Sequence, residues 1–112
     1  MRLISQNGKI DVPYNYFSLT IATGKYEDVE VACIYCHNLS SPQGTKLAEY
    51  SSKEKAQKAM EMLRDAYSNY DFCINLTTEN MLKSYAMSRP KEEFMKYAYP
   101  YFQFPQDEDV EV

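Results

Sequence analysis

Two cysteines and the chain's single histidine crowd one short stretch, Cys33-Ile34-Tyr35-Cys36-His37. That spacing is the one by which thiols attach a c-type haem. Thiolates and imidazole are also zinc ligands, and Cys73 would complete a Cys₃His set. A Cys-x-x-Cys pair can also cycle between dithiol and disulfide, typically from a helix N-terminus that lowers the thiol pKa. Each of these chemistries needs both thiols on one side of the backbone. The stretch lies instead in an alternating segment, Asp28 to His37, that reads as a strand. Residues three apart on a strand point to opposite faces, so Cys33 and Cys36 are expected to diverge. The reading adopted is that Cys33 packs as a small hydrophobe inside the sheet, with His37 where the strand frays into a loop. No metal or cofactor is then expected. Cys33, Cys36, His37 and Cys73 stand as the alternative, a metal- or redox-linked set.

Nucleophile–histidine catalysis would have to use His37. Its neighbour Cys36 would point to the other face, which is poor geometry for a dyad. Glu27, Asp28 and Glu30 read as a solvated turn and strand face, and Asp107 to Glu111 as a solvating tail. No acid/base pair stands apart from them, and a non-enzymatic protein is expected. The surplus is in tyrosine, eleven in 112 residues. Tyr97, Tyr99 and Tyr101, with Phe102 and Phe104, either roof a small core or form an interaction surface, because a tyrosine ring buries area while its hydroxyl stays wet. A net charge of −4 argues against a nucleic acid partner, since phosphate contacts need surplus Lys and Arg; a nucleic-acid accessory protein stands as the third reading. The chain has three glycines; each is assigned to a turn, which leaves none for a phosphate-cradling loop.

The elements that would position these groups follow from patterning. Arg2 to Ser5 and Lys9 to Val12 form a hairpin around Asn7-Gly8, a pair that favours two-residue turns. Pro13 ends that ladder for want of an N–H. Tyr16 to Thr23 and Asp28 to His37 alternate around a turn at 24–27 and read as a second antiparallel pair. Asn38 to Gly44 is a loop by composition, and Lys46 to Tyr50 a further strand. A helix spans about 52–70. Ser51 and Glu54 stand at capping-box spacing, and Ala56, Ala59, Met60, Leu63, Tyr67 and Tyr70 make its apolar stripe. Phe72 to Leu76 reads as a strand, two short helices follow up to about Ala98, and Tyr101 to Phe104 is a last edge strand.

These elements make an α+β domain over 1–105: an antiparallel meander of about four or five strands packed by one amphipathic helix, with short C-terminal helices and an acidic tail over 106–112. No run is long and apolar enough for a membrane span. The N-terminus lacks the apolar core of a secretory signal. A cytoplasmic protein with reduced thiols is expected. "MRLISQNGKIDVPY" at the start, "AEYSSKEKAQKAMEMLRDAY" at 48–67 and "FQFPQDEDVEV" at the finish resemble short uncharacterised proteins encoded in phages, prophages and related mobile elements of Gram-positive bacteria. That resemblance covers about two-fifths of the chain and implies an element-encoded accessory protein. It carries no activity and no functional residues. The expected partner is another protein or a second copy of the chain, added at an uncovered sheet edge.

Overall fold

The computed structural model describes residues 1–74 and 101–112, with side chains for 1–72 and 101–112. The expected helices over 77–98 lie outside the described residues. What is described is an α+β fold with two three-stranded sheets and one helix. Strands β3 (Ser18–Tyr26), β4 (Val29–Asn38) and β5 (Ser41–Tyr50) form the antiparallel meander, with β4 in the middle. Strands β1 (Arg2–Ile4), β2 (Asp11–Pro13) and β6 (Tyr101–Gln103) form a second, smaller sheet in the order β2-β1-β6. The meander therefore does not include the first hairpin. In the small sheet β1 pairs antiparallel with β2 and parallel with β6, so the two ends of the chain lie side by side.

Helix α1 (Lys53–Ile74) crosses the inner face of the meander. Ala56, Ala59 and Leu63 are fully buried there against Ala32, Ile34 and Cys36 of β4. The two alanines bring the helix backbone close to the sheet, which larger side chains at those positions would prevent. Tyr67 extends the stripe and stacks on Tyr14 with ring centroids 4.4 Å apart. The helix is capped by Ser52, not Ser51: its Oγ accepts from Lys55 N at 3.2 Å. The expected strand at Phe72 does not form, because Phe72 to Ile74 continue the helix.

Three further expectations are corrected. The first hairpin does not turn on a two-residue Asn7-Gly8 loop. Gly8 N donates to Ser5 O and Ser5 N to Ile10 O, so Gln6 to Lys9 make the loop. Asn7 acts through its side chain, accepting from Ser5 Oγ at 2.7 Å and Lys9 N at 2.9 Å. The β3–β4 turn is Glu27-Asp28, not 24–27, and both residues have positive φ, at 51° and 66°. Gly24 lies within β3, opposite Val31. Finally, 38–44 is not a loop. The chain reverses over Leu39 and Ser40, and Ser41 N donates to Asn38 Oδ1 at 2.8 Å as β5 begins.

The segment read as a solvating tail is docked. Phe104 and Val110 are buried in the core, and Asp107–Asp109 form a turn of 3₁₀ helix. Asp107 Oδ1 accepts from Ser51 N at 2.8 Å, and its Oδ2 lies 3.3 Å from Lys55 Nζ. Those contacts hold its carboxyl below the usual carboxylate range, the backbone bond from Ser51 first. Buried Tyr50 donates its hydroxyl to Pro105 O at 2.8 Å. Burial, and then the charge of Asp107, raise its pKa. Gln6 ties three segments together: its N bonds Leu47 O, its Oε1 accepts from Glu49 N and its Nε2 donates to Pro105 O.

Candidate functional site

Alternation along β4 decides what its cysteines can do. Ala32, Ile34 and Cys36 face the helix and are buried; Val31, Cys33, Tyr35 and His37 face outward and are half-buried. Cys33 and Cys36 therefore diverge, as strand geometry requires. The inward cysteine is Cys36 and not Cys33, which corrects the expectation that Cys33 packs inside the sheet. Two thiols on opposite faces of one strand cannot share an ion, a haem or a disulfide. Cys73 falls in the last turn of α1, and its side chain lies outside the described residues. Among the described residues, no three His, Cys, Asp or Glu side chains are grouped closely enough to hold a metal ion.

The thiols are also poorly activated. Burial raises the Cys36 pKa. Desolvation raises that of Cys33, and the carboxylate of Glu49, 3.8 Å from its Sγ, adds to the effect. Raising a thiol pKa lowers the fraction present as the nucleophilic thiolate.

His37 does not sit in a frayed end. Cys36 pairs with Thr45 and Asn38 with Ser41, so Pro42, Gln43 and Gly44 of β5 face the single residue His37. That excess of backbone makes a cradle. His37 Nδ1 lies 3.0 Å from Pro42 O and Nε2 lies 2.7 Å from Thr20 Oγ1. A carbonyl only accepts, so Nδ1 carries the proton, and in the neutral ring Nε2 accepts from the threonine hydroxyl. Gly44 has φ +86°, and a Cβ there would stand 2.5 Å from the imidazole. Only glycine fits beneath the ring. Hydroxyl, imidazole and orienting carbonyl follow the order of a nucleophile–base relay. Thr20 is exposed on an open sheet face, however, in the high dielectric where preorganised charge stabilisation is weak. The arrangement is a cross-strand tie that fixes the β4–β5 end of the meander.

What the outward face does offer is surface. Ala22, Tyr26, Val29, Val31, Cys33 and Tyr35 lie together on it, with Tyr26 73% and Val29 62% exposed. Lys46 and Glu49, paired at 3.4 Å, edge this patch on β5. A shallow hollow of about 320 Å³ is lined by Ala22, Tyr26, Val31, Cys33, Tyr35 and Glu49. Of the aromatic residues singled out in the sequence, Tyr101 lies half-exposed on β6 of the other sheet. Tyr97 and Tyr99 lie outside the described residues. Sequence reasoning missed Tyr26 and Tyr35. The signal was present, since Val29, Val31, Cys33 and Tyr35 alternate together, but alternation alone does not say which face is covered.

Comparison of the chain with protein-family models, curated proteins and solved structures finds no match. Among the described residues, no helix is long and apolar enough to cross a membrane.

Proposed function

We propose that this chain is a non-enzymatic interaction module, a cytoplasmic accessory protein of a phage or related mobile element. It presents the outward face of its meander to a protein partner. The observation that carries the reading is the contiguous set of Tyr26, Val29, Val31 and Tyr35 on one sheet face that no element among the described residues covers, rimmed by the Lys46–Glu49 pair. Aromatic and branched side chains within a polar rim are the make-up of protein interfaces, and contiguous apolar patches on a small protein mark interaction sites. The mobile-element assignment rests on the resemblance of three stretches: 1–14, 48–67 and 102–112. In the fold all three contribute to one place, where β1, β6, Tyr50 and the capped start of α1 meet.

The test is site-specific photo-crosslinking in the native host. A photoreactive residue at Val31 should trap one discrete protein chain, and the same probe at exposed Glu108 in the C-terminal 3₁₀ turn should trap none. Equal, diffuse crosslinking from both positions would contradict the reading. Val31→Glu should remove the crosslinked product from a probe at Tyr35 while leaving the melting temperature unchanged.

A further inference from the structure

The two edges of the meander are finished differently. On β5 the backbone of Leu47 and Glu49 is bonded by Gln6, and the strand carries a bulge, a proline and a charge pair. On β3, nine residues pair with β4 without a register break; the strand has no proline and one charge, Lys25. Among the described residues nothing pairs with its outer edge. Natural proteins blunt or fill such edges, because a row of free N–H and C=O groups recruits another strand.

We propose that this edge is filled by β3 of a second copy of the chain, running antiparallel about a two-fold axis at Ala22, so that two meanders become one continuous sheet. The inference concerns the edge and not the open face, and stands or falls apart from the reading above.

Backbone parity permits that axis. The two-residue turn closes on Tyr26 and Val29, which makes the even-numbered β3 residues the ones that exchange bonds with β4. The odd-numbered Leu19, Ile21, Thr23 and Lys25 then aim N–H and C=O outward. The same counting assigns Leu47 and Glu49 as outward on β5, and these are the groups that Gln6 bonds. A two-fold at Ala22 sets Ile21 against Thr23 and Leu19 against Lys25 of the second copy, outward group to outward group.

Side chains favour this register. On the open face, exposed Tyr26 lies opposite Ser18 of the second copy. Ser18 borders a hollow of about 620 Å³ lined also by Tyr16, Phe17, His37 and Leu39. On the helix side, Lys25 lies opposite Leu19 of the second copy. There a hollow of about 440 Å³ is lined by Leu19, Ile21, Met60, Glu61 and Arg64. The lysine stem covers the apolar floor and its ammonium joins the Glu61 carboxylate, which within the protomer already lies 3.9 Å from Lys58 Nζ. One register thus seats a ring and a charge at once, twice by symmetry, as an isologous interface must. A two-fold at Ile21 would set Tyr26 against exposed Tyr16, and one at Thr23 would draw it away from the hollow to Thr20.

Sedimentation of the purified full-length chain, from low to high micromolar concentration, tests the proposal. A reversible dimer is expected. Thr23→Pro removes an outward N–H that the protomer does not use, so it should give a monomer with unchanged circular dichroism. Lys25→Glu and Glu61→Lys should each weaken the dimer about tenfold or more by facing like charges, and the double exchange should restore it. These charge variants decide the matter should the proline variant unfold. A monomer at every concentration would overturn the proposal, as would a dimer indifferent to the charge exchanges. A monomer that still photo-crosslinks from Val31 would remove the dimer and leave the open-face reading intact.

Discussion

The place where the chain's ends meet and the far end of the β3–β4 hairpin are built on opposite terms. At the first, Leu3, Tyr50, Phe104 and Val110 are buried, and the polar groups around them are answered: the Tyr50 hydroxyl by Pro105, Gln6 by three segments, Asp107 by Ser51 and Lys55. At the second, every residue from Ala22 to Glu30 is exposed, and the turn holds two non-glycine residues at positive φ. Among the described residues, cross-strand hydrogen bonds are nearly all that shapes it. Stability is concentrated where distant segments converge, and the hairpin is a projection held by its base.

The contrast can be broken most decisively at Phe104. Phe104→Ala should cost about 3–5 kcal/mol by opening a cavity beneath the small sheet, whereas Tyr26→Ala should stay within about 0.5 kcal/mol. Thermal melting of both would measure the gap, and equal losses would erase the distinction between the two regions. Next in size, Gly44→Ala should cost about 1–3 kcal/mol, from an unfavourable φ and from collision with His37. His37→Ala added to it should recover the part due to the collision, as a double-mutant cycle in denaturant would show.

Asp107 sharpens the comparison through pH. Its folded pKa is lowered, so its stabilisation is complete above the unfolded value of about 3.9. It is lost as the pH falls through the lower folded value. Asp107→Asn should cost about 1 kcal/mol at neutral pH and should flatten the acid limb of a stability–pH curve. The smallest expected effect has the opposite sign. Glu27→Asn with Asp28→Gly supplies the residues that a turn with two positive φ values prefers. It should stabilise the protein by about 0.5–1 kcal/mol, read as a raised denaturation midpoint.

Several of these features were legible in the sequence for local reasons. Period-two alternation marked β3 and β4, and apolar spacing marked α1 with its stripe at Ala56, Ala59 and Leu63. Divergence of Cys33 and Cys36 followed from the strand alone. What was not legible depends on distant partners. Parallel pairing of β1 with β6 joins opposite ends of the chain and leaves no local pattern. The same holds for the docking of Asp107 and Val110, whose acidic neighbourhood reads as solvated. Cys36 rather than Cys33 is buried because α1 covers one face of the meander, a choice that alternation cannot make. The His37 cradle depends on surplus backbone in β5, and the turn-like composition of 38–44 concealed that strand.

Residue-resolved hydrogen exchange at two protein concentrations tests the central claim most directly. The hydrogen-bonded amides of β1, β5 and β6 should exchange slowly and independently of concentration. Those of Leu19, Ile21, Thr23 and Lys25 should exchange fast in dilute solution and become protected on concentration. Even-numbered β3 amides should be protected throughout. Free exchange of the odd-numbered amides at every concentration, or loss of protection in β1 and β6 before β3, would contradict the account of a firm junction holding out an edge for a second chain.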